Sequence, residues 1–122
     1  MNLFLCYDRC STCQKAERWL IENAIAYERR SIKEAKPSAA ELKSWWEKSA
    51  LPLCRFFNTS GLLYKQMNLK YKLPQMTEDE KLTLLSTDGM LVKRPLLITE
   101  HQVLLGFKPE EWTNTLLPKK NT

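Results

Sequence analysis

The chain has 122 residues, 43% hydrophobic and 27% charged, with 19 lysines and arginines against 14 acids and a net charge of +5. Such a length and composition suit one globular domain with its own core, and exclude collagen-like, low-complexity and disulfide-stapled classes. The basic excess is mild and its residues are spread along the chain, so it suits an anionic small substrate or an acidic protein partner and no direct contact with nucleic acid.

The opening "MNLFLCYDRC" lacks the basic and apolar regions of a signal peptide, and no apolar run approaches the roughly 20 residues that cross a bilayer. The expected setting is therefore the reducing cytoplasm, away from membranes. There, four cysteines do not make a persistent disulfide framework, and a C-x-x-C signals redox or metal chemistry.

Residues 2–7, "NLFLCY", form a continuous apolar run that predicts a buried strand. From Ser11 the period changes: Ala16, Trp19 and Leu20 recur at helical spacing among Lys15, Glu17, Arg18 and Glu22, which predicts an amphipathic helix. "IAYERRSI", residues 25–32, alternates as a second strand, and the three elements make a βαβ unit with parallel strands. "SAAE" at 38–41 and "TEDE" at 77–80 read as capping boxes. The first opens a helix to about Lys48, and the second one to about Thr87, which Gly89 ends. Between them lie turn residues at 58–61 and one or two helical turns. "RPLLIT" and "QVLLGF" predict a tight hairpin about Glu100 and His101, and "KPEEWTNTLL" a closing helix with Pro109 in its first turn. The whole is one α/β domain over 1–122, with a helical insertion at about 38–88.

Cys10 and Cys13 fall where the first strand gives way to the first helix. The unpaired amides of Ser11, Thr12 and Cys13 point toward the Cys10 sulfur, and with the helix dipole they favour its thiolate. Cys13, one turn on and on the same face, is spaced to close an intrahelical disulfide or to donate to the thiolate. Cys10 is then the exposed nucleophile and Cys13 the resolving thiol. The competing readings are two small core residues, or half of a zinc site. The latter would need ligands from Cys6, Cys54 and His101, which form no second C-x-x-C or H-x-x-H; Cys6 and Cys54 are expected in the core.

"CSTCQKAERWL", "IAYERRSI", "FNTSGLLYK", "DGMLVKRPLLI" and "VLLGFKPEEW", in this order, resemble the arsenate reductase (ArsC)-related family, a branch of the thioredoxin fold that includes the Spx regulators. The resemblance implies a thioredoxin-like α/β fold: a small mixed four-stranded sheet, flanking helices and a helical insertion. Cys10 matches the family's redox-active cysteine, Arg94 the arginine of its "RP" motif, and Pro95 a cis proline beside that cysteine. Arg94 would stabilise the Cys10 thiolate and grip an oxyanion. Ser11, Thr12 and Lys108 are supporting residues.

The departures bear on substrate. Glutaredoxin-coupled arsenate reductases resemble C-G-T-S-R at the nucleophile, whereas Cys13 and Gln14 replace the serine and arginine here. Of the family's three-arginine clamp, Arg94 has a clear counterpart, Arg55 is a substitute at the second place, and Lys108 stands near the third. The leading expectation is a monomeric thiol–disulfide oxidoreductase without a bound cofactor, its dithiol regenerated by glutathione, glutaredoxin or thioredoxin. The alternative is an Spx-like redox switch that binds RNA polymerase. Against it, "FFNTSGLLYK" departs from the Spx pattern, and the basic tail of Spx proteins is missing after "LLPKKNT". A third reading is a binding domain presenting Trp45 and Trp46, of which one is expected buried and one partly exposed.

Overall fold

The computed structural model describes residues 2–118; Met1 and residues 119–122, the end of "LLPKKNT", lie outside them. Strands β1 (Asn2–Cys6), β2 (Tyr27–Ser31), β3 (Leu96–Ile98) and β4 (Val103–Leu105) form one sheet in the order β2-β1-β3-β4. β1 and β2 are parallel and joined by helix α1 (Ser11–Glu22), while β3 runs antiparallel to β1 and to β4. This is the mixed thioredoxin-like sheet that the sequence implies, and the hairpin closes where the Thr99 amide donates to the Gln102 carbonyl at 2.8 Å.

Because side chains alternate along a strand, the apolar strands supply two cores. Leu5, Leu96, Ile98 and Leu105 pack with Leu42, Trp45 and Leu85 of the helical insertion. Phe4, Cys6, Leu97 and Leu104 pack instead with Ala16 and Leu20 of α1 and with Trp112 of the last helix, α6 (Pro109–Leu116). Trp112 is wholly buried, lies edge-to-face with Phe4, Trp19 and Phe107, and donates its Nε1–H to the Gly106 carbonyl at 3.2 Å.

The insertion contains α2 (Ala39–Ser49), α3 (Leu62–Gln66), α4 (Leu69–Lys72) and α5 (Glu78–Thr87), with short 3-10 turns between them. Both capping boxes form: Ser38 Oγ and Thr77 Oγ1 accept from the Glu41 and Glu80 amides, each at 3.1 Å, and both glutamates reach back. The Arg30 guanidinium binds the Glu41 carboxylate with two hydrogen bonds of 2.6 and 3.0 Å, fastening β2 to α2 and lowering the Glu41 pKa to about 2. Trp45 is buried and Trp46 half-buried, its Nε1–H spent on the Leu51 carbonyl at 2.8 Å.

The expectation at Gly89 needs correction. α5 ends at Thr87, and an extended Asp88, whose carboxylate accepts from the Met90 amide at 2.9 Å, makes the stop. Gly89 instead opens a 3-10 turn (Gly89–Leu91) pressed against the backbone of Ile32, a contact set by tertiary packing and invisible in local sequence. Among the described residues no helix is long and apolar enough to cross a membrane.

Candidate active site

β1 ends at Cys6, and a turn over residues 7–10 carries the chain into α1, the Cys10 amide donating to the Tyr7 carbonyl at 3.0 Å. The turn is held from several sides. The Tyr7 amide donates to Cys13 Sγ at 3.4 Å, the Gln14 side chain donates to the Asp8 carbonyl at 2.9 Å, and Arg29 pairs with the Asp8 carboxylate. Cys10 therefore takes the N-cap position of α1, with an extended backbone and a half-buried side chain, and Cys13 lies at the third residue of the first turn, 3% exposed.

No regular capping hydrogen bond reaches the Cys10 sulfur. The Cys13 amide nevertheless faces it closely enough to act on its charge; of the three amides expected there, this is the one that contributes. Burial pushes the Cys10 thiol up. The Cys13 amide, the Cys13 thiol and the Arg94 guanidinium together outweigh burial and hold its pKa below the ordinary thiol value. Cys13 moves the opposite way, to about 12, because it is buried and faces the Cys10 charge. Cys6, at the end of β1, rises to about 11 through burial. All four cysteines are free thiols.

Arg94 precedes Pro95 through a cis bond, the geometry that the resemblance implies. Its guanidinium lies over the Tyr7 ring, 5.1 Å from the centroid, and its Nε and Nη1 are buried without a protein hydrogen-bond partner. The guanidinium acts on the Cys10 sulfur by hydrogen bond and charge, and Arg94 also lines the cleft on which Cys10 opens.

Cys10 and Arg94 open on a cleft of about 720 Å³. One wall is the start of α1 with Thr12; the second is the segment from Cys54 to Tyr64; the third is formed by residues 105–108. The second wall is tied to the approach to β3, since the Asn58 amide donates to the Leu91 carbonyl at 2.8 Å and the Lys93 amide to the Phe56 carbonyl at 2.7 Å. Gly106, in the left-handed region with φ +70, lets the third wall approach the Lys93 side chain, which a Cβ would meet at 3.2 Å.

The structure thus gathers Cys10, Thr12, Arg94, Arg55 and Lys108 around one cavity, with Cys13 acting on Cys10 from the core. Ser11 and Pro95 do not line it; Pro95 is buried and accepts from the Gly106 amide at 2.8 Å. Cys54 corrects an expectation: it is exposed and lines the cleft. In the 3-10 turn Leu53–Phe56 the eclipsed first and fourth residues, Leu53 and Phe56, turn inward, which leaves Cys54 and Arg55 outside. Lys93, the residue before Arg94, is a cleft cation that sequence reasoning passed over.

Residues 5–115 match the ArsC family model. The solved structure of an ArsC family related protein from Bacteroides fragilis has a TM-score of 0.90 to this chain at 57% identity, covering 93% of this chain and 95% of that one. Protein YusI of Bacillus subtilis (strain 168) is 49% identical over 109 residues, 89% of this chain and 92% of its own length. The regulatory protein MgsR of the same organism is 29% identical over 119 residues, 98% of this chain and 91% of its own. The chain belongs to the ArsC family.

Proposed function

We propose that this protein is a cytoplasmic thiol–disulfide oxidoreductase with Cys10 as nucleophile and Cys13 as resolving thiol. The observation that carries the reading is the placement of the two thiols: Cys10 is half-buried at the N-cap of α1 and lines the cleft, and Cys13 is buried in the first turn beside it. In keeping with that placement, the Cys10 thiol is held below its ordinary value and burial pushes Cys13 up to about 12. The Cys10 thiolate attacks one sulfur of a disulfide; a Cys10–substrate disulfide forms and the other half leaves as a thiolate, which takes a proton from solvent. Forming that bond removes the negative charge from Cys10. Part of what raises the Cys13 pKa goes with it, since the Cys10 charge and hydrogen bond contribute alongside burial. Cys13 then loses its proton, attacks the Cys10 sulfur and releases the second half as a thiolate. The substrate disulfide ends as two thiols and the protein as a Cys10–Cys13 disulfide, which glutathione, glutaredoxin or thioredoxin reduces back.

In a glutathione redox titration with peptide mapping, the wild type should form a reversible Cys10–Cys13 disulfide with a potential inside roughly −180 to −320 mV. Cys13→Ser should stop at a glutathione adduct on Cys10. A wild type that never forms the pair while Cys10 still reacts would contradict the resolving role of Cys13.

The likeness to the regulatory protein MgsR favours one second reading, in which the same pair is a redox switch in a regulator, with RNA polymerase the partner that the resemblance to Spx regulators implies. Retention of polymerase subunits by the oxidised or the reduced form alone, without disulfide turnover, would select it.

A further inference from the structure

The cleft carries more positive charge and more room than a small oxyanion uses. Arg55, Lys93, Arg94 and Lys108 line it without a single carboxylate, and among the described residues none of the four is in an ion pair. Its volume of about 720 Å³ lies within the range that holds drug-sized ligands, whereas a tetrahedral oxyanion has five heavy atoms.

The net charge is also uneven along the chain, and the second wall of the cleft comes from its acid-free part. From Lys48 to Thr77 the chain has no acidic residue and five basic ones, so the whole net charge of +5 resides in this stretch; the other 14 basic residues face 14 acids. The basic residues are spread, as the sequence suggests, but the acids are not. Arg55 is the basic residue of this stretch that lines the cleft, and half-buried Tyr64 adds aromatic surface that Phe107 completes on the opposite wall. Such a site suits a ligand with an uncharged stem and anionic groups away from its sulfur. It disfavours an ammonium, which would find no carboxylate and would meet four like charges.

We infer that the substrate class is a small thiol, presented as its disulfide, that carries phosphate or carboxylate groups and no ammonium, with Arg55, Lys93 and Lys108 as its specificity residues. This rests on the thiol–disulfide reading above. The exchange is the same: Cys10 bonds to one sulfur as the substrate S–S bond breaks, and the other half leaves as a thiolate that takes a proton from solvent.

The test uses Cys13→Ser, in which the Cys10 adduct persists, and measures its rate of formation by intact mass. Coenzyme A disulfide, 3,3′-dithiodipropionate, glutathione disulfide and cystamine are each compared with neutral 2-hydroxyethyl disulfide on the same protein. Both anionic probes should exceed the neutral one by about 10-fold or more, and glutathione disulfide and cystamine should fall below them. The advantage should shrink with ionic strength, and it should fall to within about 3-fold when Arg55→Gln, Lys93→Gln and Lys108→Gln are combined in a variant whose circular dichroism is unchanged. Coenzyme A disulfide ahead of dithiodipropionate assigns phosphate, and the reverse assigns carboxylate; either upholds the inference. Equal rates for anionic, neutral and zwitterionic probes, or a preference that survives the triple substitution, would overturn it while leaving the thiol chemistry intact. Failure of Cys10 to react with any disulfide would overturn both readings.

Discussion

Cys10→Ser should reduce disulfide exchange by at least about 10³-fold, because a serine hydroxyl at neutral pH is protonated and a poor nucleophile toward sulfur. The same substitution should cost little stability, since Cys10 is half-buried at an N-cap, where serine is favourable. Assay of glutathione-disulfide reduction alongside a urea melt separates the two effects. Activity kept in Cys10→Ser and lost in Cys54→Ser would reassign the nucleophile to the other thiol lining the cleft.

Gly89→Ala should destabilise the protein by about 3 kcal/mol or more. A Cβ at residue 89 would stand 1.8 Å from the Ile32 carbonyl oxygen and 2.7 Å from its carbon. Both are backbone atoms, held where Ile32 leaves the sheet with its own amide bonded to the Cys6 carbonyl at 2.9 Å. Neither side can give way as a flexible side chain would, so the turn Gly89–Leu91 must lift. Leu91 and Val92 are buried, and Val92 bridges Phe57 just before Lys93 and Arg94, so the displacement reaches the cleft. A lower urea midpoint at unchanged m-value is the expected signature; a change within about 1 kcal/mol would contradict the close-approach account.

The parts of this molecule legible from sequence are those that local rules determine. The two capping boxes, the apolar β1 followed by a helix of period 3.6, and the C-x-x-C at the junction each contain their reason within a dozen residues. The roles at Gly89 and Cys54 were not legible, because both depend on what the rest of the fold brings near. Gly89 meets Ile32 from 57 positions away in sequence, and Cys54 turns outward because Leu53 and Phe56 claim the core. Lys93 was equally hidden: beside Arg94 it reads as an ordinary basic neighbour until Gly106 and the segment 54–64 close around it. The acid-free stretch from Lys48 to Thr77 was in plain view, yet its meaning needed the cleft.

A Cys10 thiolate favoured by Arg94 and by the start of α1 is the centre of the proposed chemistry. The most direct test of that thiolate is the pH dependence of Cys10 alkylation by iodoacetamide, followed by peptide mass in the wild type and in Arg94→Gln. A lowered pKa means that the thiolate persists at lower pH, so the wild-type midpoint should lie below the ordinary thiol value of about 8.5, and loss of the guanidinium should move it upward. A wild-type midpoint at or above about 8.5, unmoved by Arg94→Gln, would contradict it.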